Sequence, residues 1–320
     1  MNLIKYGFLI ISCFIGCSIL FGQLVINEFM SSNSNSLYDE FGDTPDWVEI
    51  YNGNSGINLT GFGLSDESDD PFKWTFPDIT IGQNEFILIF ASGNESEFFV
   101  NHWETVINWG DNWRFFIGEM PPPTNWKSIY FNDSNWSIGP SGFGYGDDDD
   151  NTIVPAVMSV YVRNSFFIDT IEDVIKIVLH IDYDDAFVAY INGQEIARSN
   201  IGIPGIEPEY NDGANEWREA EIYTGGFPDK FDVEIENNLL IEGENILSIQ
   251  VHNFNQTSSD MSLIPFLTLG LTSIPVNPQG TPELLEFPLS NLHTNFRINS
   301  DGESLLLTNP EGETIDFVDS

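Results

Sequence analysis

The chain has 320 residues, and its 50 Asp and Glu against 10 Lys and Arg give a formal charge of −40. Ten scattered basic residues cannot build the clustered cationic surface that displaces counterions from phosphates, so nucleic acid and anionic membrane surfaces are excluded as partners. High net charge often accompanies disorder, but 41% hydrophobic and 14% aromatic residues bury enough apolar area to offset chain entropy. With 26 Phe, 27 Gly and 17 Pro, the composition is that of short strands joined by turns, in about two domains.

Residues 1–22 read as a secretory signal peptide: Lys5, an apolar run from Tyr6 to Phe21, then Gly22. The run is short for a membrane span and lacks a basic stop-transfer cluster. Phe14-Ile15-Gly16-Cys17 loosely matches a lipobox, a second reading weakened by the apolar Ser18-Ile19-Leu20-Phe21 that follows. Both cysteines lie in this segment, so the mature chain is expected to have no disulfide, thiol nucleophile or cysteine-held metal. The expected location is extracellular, with no membrane insertion after cleavage.

From Leu24 the chain alternates strand and turn: Val25–Phe29, Asp46–Asn52 and Phe86–Phe90, separated by Gly, Asn and Asp clusters. In Asp46–Asn52, Trp47, Glu49 and Tyr51 alternate with Val48 and Ile50, a strand with two unlike faces. Five elements in order resemble the lamin-tail domain, an immunoglobulin-like sandwich: Val25-Ile26-Asn27-Glu28, Asp46–Asn52, Leu59–Asp66, Trp74-Thr75-Phe76-Pro77 and Phe86–Gly93. The family's last strands follow only about 200 residues later, as Leu292–Ile298, Gly302–Leu307 and Gly312–Asp316. The resemblance implies one lamin-tail domain, 23–101 and 276–320, interrupted by an inserted domain at 102–275. The alternative is a second copy beginning near 276, although about 40 residues rarely bury a core alone.

The middle segment is also β-like, with strands expected at Ser159–Ile168, Val174–Ile181, Phe187–Asn192, Asn245–Asn253 and Ser262–Leu271. Asn192-Gly193 is a two-residue hairpin signal, because both positions tolerate positive φ. The segment resembles the galactose-binding-like jelly roll through Phe131–Trp136, Gly139–Asp147, Asp182–Gly193 and Val251-His252-Asn253 with Ser258-Ser259-Asp260. Ala186 departs from a position that is often Gly. The fold class expected is therefore all-β: an immunoglobulin-like lamin-tail sandwich interrupted by a jelly-roll β-sandwich. The resemblance implies carbohydrate binding through loops at one end and a structural calcium, properties many members have lost.

Calcium takes six to eight oxygens, and Asp147, Asp148, Asp149 and Asp150 are the densest acidic run, with a solvated loop as the alternative. Asp184 and Asp185 lead into the hairpin, where they ligate calcium or cap turn N–H groups. Sugar recognition needs a flat apolar platform beside hydrogen-bonding groups, and Trp126, Tyr145, Asn192, Arg198 and Asn200 are of that type. Trp136 shares the type, although Trp136 and Tyr145 commonly pack the core of this fold, and Arg198 serves equally as a carboxylate partner. For catalysis the sequence offers no H-E-x-x-H pair, no G-x-S-x-G elbow and no phosphate loop, and its four histidines are isolated.

The expected function is a secreted, non-catalytic module that binds a polysaccharide or cell-surface glycan, or mediates adhesion. The alternative is a structural or targeting region of a larger extracellular protein whose catalytic domain, for example a spore-coat-type kinase, lies outside this chain. A binding module requires an exposed aromatic beside polar groups in a loop-end cleft. A spacer leaves Trp126, Trp136 and Tyr145 all buried.

Overall fold

A computed structural model describes residues 24–94, 99–146, 150–236, 238–288 and 290–319. The proposed signal peptide lies outside them. Among the described residues no helix is long and apolar enough to cross a membrane. The protein is all-β, and its strands fall into two compact units: the chain up to Glu95 with Leu292–Ser320, and Ser96–Asn291.

In the first unit, one sheet has the order Leu24–Met30, Asp46–Asn52, Glu85–Ala91, Leu292–His293. A second has the order Thr314–Val318, Leu305–Thr308, Gly63–Ser65, Trp74–Thr75. The alternation read from Asp46–Asn52 places Val48 and Ile50 in the core with Leu59, Leu64, Ile89, Leu305 and Leu307, all fully buried. The short Leu292–His293 strand pairs parallel to Glu85–Ala91, so residues 200 positions apart are neighbours in one sheet.

The second unit has two larger sheets. One has the order Ser137–Pro140, Asn112–Ile117, Ser159–Ile168, Gly243–His252, Ala186–Ile191, Gln194–Ser199. The other has the order Thr152–Ile153, Phe143–Tyr145, Met261–Leu271, Val174–Asp184, Asp229–Val233, with His102–Ile107 also pairing on Met261–Leu271. Period-two alternation sorts their side chains. Val160, Val162, Leu179, Ile181, Phe187 and Ala189 meet in one core. Tyr161, Ala186, Val188 and Tyr190, facing the other way, form a second with Trp126 and Trp136. Asn192 and Gly193 turn the hairpin with φ of 51° and 91°.

Residues 276–291, read from sequence with the closing strands, belong to the second unit. Leu284, Leu285 and Phe287 cover Ile264 and Phe266, Phe287 stacks on Trp103 at 4.7 Å, and the Gln279 N–H donates to both Glu104 oxygens at 3.0 Å. Apolar anchoring of this Pro-rich stretch, which has no strand pattern of its own, decides where it lies. His180 and His252 are buried in strands and hydrogen-bonded: His180 Nε2 to Glu286 O at 2.8 Å, His252 Nδ1 to Asp212 O at 2.9 Å.

Candidate functional site

Of the five residues expected to touch a sugar, Trp126 is fully buried, and Tyr145, Asn192, Arg198 and Asn200 are half-buried with hydrogen-bond partners in the protein. Trp126 has no exposed surface; its Nε1 donates to Glu207 Oε1 at 2.7 Å, and its ring meets Tyr161 and Tyr190 edge-on at 5.0 and 5.8 Å. Tyr145 is half-buried, donating to Ser258 O at 3.3 Å and accepting from Asn253 Nδ2 at 2.8 Å, and burial raises its phenol pKa. Asn192 bonds Leu239 O and Asn245 Oδ1 across the hairpin. Arg198 grips Glu195 with two 2.8 Å hydrogen bonds and donates to Ile201 O and Ile206 O, so it is the carboxylate partner. Asn200 ties Asp185 O to both the N–H and the C=O of Glu216. The expected platform is corrected at Trp126: the side chain has the right chemistry but sits where no ligand reaches it.

Of the expected calcium ligands, Asp147, Asp148 and Asp149 lie outside the described residues. Asp150 packs its carboxylate over Gly144, where a Cβ would fall 2.2 Å from Oδ1. Asp185 is a cap: Oδ1 accepts the Arg218 N–H at 2.7 Å and Oδ2 the Phe254 N–H at 2.6 Å. Asp182, one side-chain alternation from Asp184 on the same strand, accepts the N–H groups of Glu221 and Ile222. The loop between these anchors carries Glu219, and this clamp fixes its place.

Among the described residues Asp184 caps no backbone N–H, and its carboxyl meets that of Asp185. Carboxylate oxygens of Asp184, Glu219 and Asp260 all lie within 4.8 Å of one another. Asp260 immediately precedes the Met261–Leu271 strand, whose Ser262 registers opposite Asp184. Asp184 is only 3% exposed, and burial first, then Asp185, Asp260 and Glu219, push its carboxyl up to about 8. Among the described residues no Lys or Arg pairs with any of the three. Arg218, next in sequence to Glu219, turns instead to Asp182 and Asp229 and stacks on the Tyr183 ring.

A buried carboxylate facing two others is costly unless it takes up a proton or a cation neutralises it. The donor set is all oxygen, which suits a hard cation such as calcium. Asp184, Glu219 and Asp260 therefore fit calcium. The same loop end carries exposed aromatics: Trp217, 71% exposed, precedes Arg218, and Phe254 is 41% exposed. Asp185 accepts the N–H of Arg218, the residue after Trp217, and the N–H of Phe254 itself.

No family model matches the sequence, and no curated protein does. Solved structures similar to part of the chain include a beta-glycosidase from Bacteroides vulgatus, 15% identical over 53% of this chain and 20% of that one, TM-score 0.33. Bacteroides uniformis beta-glucuronidase is 16% identical over 52% and 18%, TM-score 0.34. A beta-glucuronidase from glycoside hydrolase family 2 is 13% identical over 68% and 30%, TM-score 0.32. The chain thus spans less than a third of the length of these proteins.

Trp217, Glu219 and Asp260 escaped the sequence reading for different reasons. Glu219 is one acid among 50 with no local mark, and Asp260 entered only as part of the Ser258-Ser259-Asp260 resemblance, not as a ligand. Trp217 did carry a mark: a lone indole within Asn215-Glu216-Trp217-Arg218-Glu219, with no apolar alternation to bury it.

Proposed function

We propose that the protein is an extracellular carbohydrate-binding module in which calcium, held by Asp184, Glu219 and Asp260, supports a glycan site bordered by Trp217 and Phe254. The reading includes the lamin-tail and galactose-binding-like resemblances of its two units. The observation that carries it is the buried carboxyl of Asp184, facing Glu219 and Asp260 with no cationic partner among the described residues, at the loop end that also presents an exposed indole. Calcium neutralises the carboxylates and orders the loop; the indole face stacks on the apolar face of a sugar ring, with the backbone around it set by Asp185. Burial of Trp126 and Trp136 favours the second reading, a structural or targeting region of a larger protein. The exposure of Trp217 favours the first.

Affinity electrophoresis against algal, plant and bacterial polysaccharides, with calcium and with chelator, separates the two. Calcium-dependent retardation by one polysaccharide, lost in Trp217→Ala, is the expected result, and no retardation on any gel leaves the spacer reading in place.

Calcium binding has its own thermal readout. At one hundred times its dissociation constant, calcium is expected to stabilise the folded state by about 2.7 kcal/mol. For a unit of this size that raises the midpoint by roughly 5–10 °C. Asp184→Asn should abolish the calcium-dependent shift without lowering the midpoint in chelator, because the neutral amide replaces a carboxyl that burial and its acidic neighbours already keep protonated at neutral pH. A scan insensitive to calcium in the wild-type protein excludes the metal.

A further inference from the structure

Glu40, Ser92 and His293, remote in sequence, meet in the first unit. Ser92 directly follows the Glu85–Ala91 strand, and Gly93 turns the chain away with φ of 72°. His293 lies on the parallel strand beside it, in register with Phe90. Its Nδ1 is 3.0 Å from Ser92 Oγ and its Nε2 is 3.1 Å from Glu40 Oε2. The imidazole is buried and stacked on the Phe90 ring at 5.5 Å, which holds its orientation.

The partners dictate the tautomer. A carboxylate at Nε2 requires the proton there, so in the neutral ring Nδ1 keeps a lone pair, aimed at the Ser92 hydroxyl. The order is carboxylate, imidazole, hydroxyl, the arrangement in which an orienting acid holds a base against a nucleophile. Asn94 brackets the same hydroxyl: its N–H donates to Ser92 Oγ at 3.1 Å, stabilising charge that develops there, and its C=O at 3.2 Å is a second acceptor for the hydroxyl proton, which must turn to the nearer Nδ1 for transfer.

Ser92 and His293 line a cavity of about 360 Å³ together with Arg297 and Phe41. Arg297 donates from Nε to Ser92 O at 2.7 Å and packs over Gly93, where a Cβ would lie 3.0 Å from its Nε. Among the described residues no carboxylate lies within ion-pair distance of its guanidinium, which leaves the terminal nitrogens for an oxyanion. Asp39, Asp43 and Asp46 also line the cavity and disfavour an anionic substrate.

We propose that Ser92, His293 and Glu40 form an acyl-transfer site that hydrolyses small, uncharged carboxylic esters. Ser92 Oγ bonds to the carbonyl carbon while its proton passes to His293 Nδ1, and the carbonyl electron pair moves to the oxygen beside Arg297. The ester C–O bond then breaks, and the departing alkoxide takes the proton from Nδ1. Water repeats the sequence on the acyl-serine, releasing the acid and restoring the hydroxyl. Ser92 and His293 are the catalytic residues, and Glu40 is a positioning residue. This proposal does not depend on the glycan site, which lies in the other unit.

The test treats the native full chain with an alkyl fluorophosphonate and maps the adduct by mass spectrometry. The expected result is a phosphonylated Ser92, formed with loss of fluoride and absent in His293→Gln. Hydrolysis of p-nitrophenyl acetate should fall at least about 100-fold in Ser92→Ala and in His293→Gln. Glu40→Gln should lower kcat with KM unchanged, a split that a purely structural contact does not produce. Folded protein with no adduct on Ser92, or hydrolysis unchanged in a folded Ser92→Ala, overturns the proposal.

Discussion

Trp126→Ala is expected to destabilise the second unit by about 3–5 kcal/mol, the range for removing a large buried aromatic side chain. The indole is fully buried between Tyr161, Tyr190 and Trp136, and its loss leaves a cavity against the sheet face that carries Tyr161 and Tyr190. It also strips Glu207 of the Nε1 donor, leaving that carboxylate to Lys127 alone at 2.6 Å. Urea denaturation checks this through the midpoint, with a slope of about 1–3 kcal/mol per molar to convert it. Trp217→Ala supplies the contrast. Its indole is 71% exposed, so stability should change by no more than about 0.5 kcal/mol while glycan retardation is lost. A Trp126→Ala protein as stable as the wild type overturns the core assignment and returns that indole to the list of ligand contacts.

His252 is expected to make the second unit acid-sensitive. Burial lowers its imidazole to about 4 from an ordinary value of 6.5, opposed by the Asp212 carbonyl and carboxylate and reinforced by Arg198. The ring also faces Gln250 Oε1 at 3.2 Å and the edge of Tyr161. An unfolded chain takes up the proton as pH falls through 6.5, whereas the folded imidazole stays neutral until about 4. Between those values the unfolded state binds more protons, so stability is full above 6.5 and declines as pH falls towards 4. At about 1.4 kcal/mol per unit the loss is about 3 kcal/mol. Denaturation of wild type and His252→Gln from pH 7 to 4 isolates this contribution, because other titrating groups are common to both. The expected outcome is a shallower pH slope in the variant; identical slopes mean that His252 is not held neutral.

The strands were legible because their signals are local. Alternation in Asp46–Asn52 and Ser159–Ile168, and the turn chemistry of Asn192-Gly193, act within a few residues and reappear in the same places. Asp185 was half-legible: a carboxylate leading into a turn caps N–H groups or binds a cation, and the structure shows it capping Arg218 and Phe254. The sugar platform was misplaced for a different reason. Residue type says that an indole stacks well, but whether Trp126 stacks on a ligand or on Tyr161 depends on the loop folded over the sheet.

By itself the amino-acid sequence determined an acidic all-β protein with defined strands and a tight hairpin, since composition and short-range periodicity suffice for these properties. Only the tertiary structure decided which carboxylates meet. Asp184, Glu219 and Asp260 converge because backbone N–H groups at 218, 221 and 254 are clamped by Asp182 and Asp185. Glu40, Ser92 and His293 converge because a strand near residue 292 pairs beside one ending at residue 91. Both are consequences of long-range register, in which the free energy of burying distant strands together sets distances that no local pattern encodes.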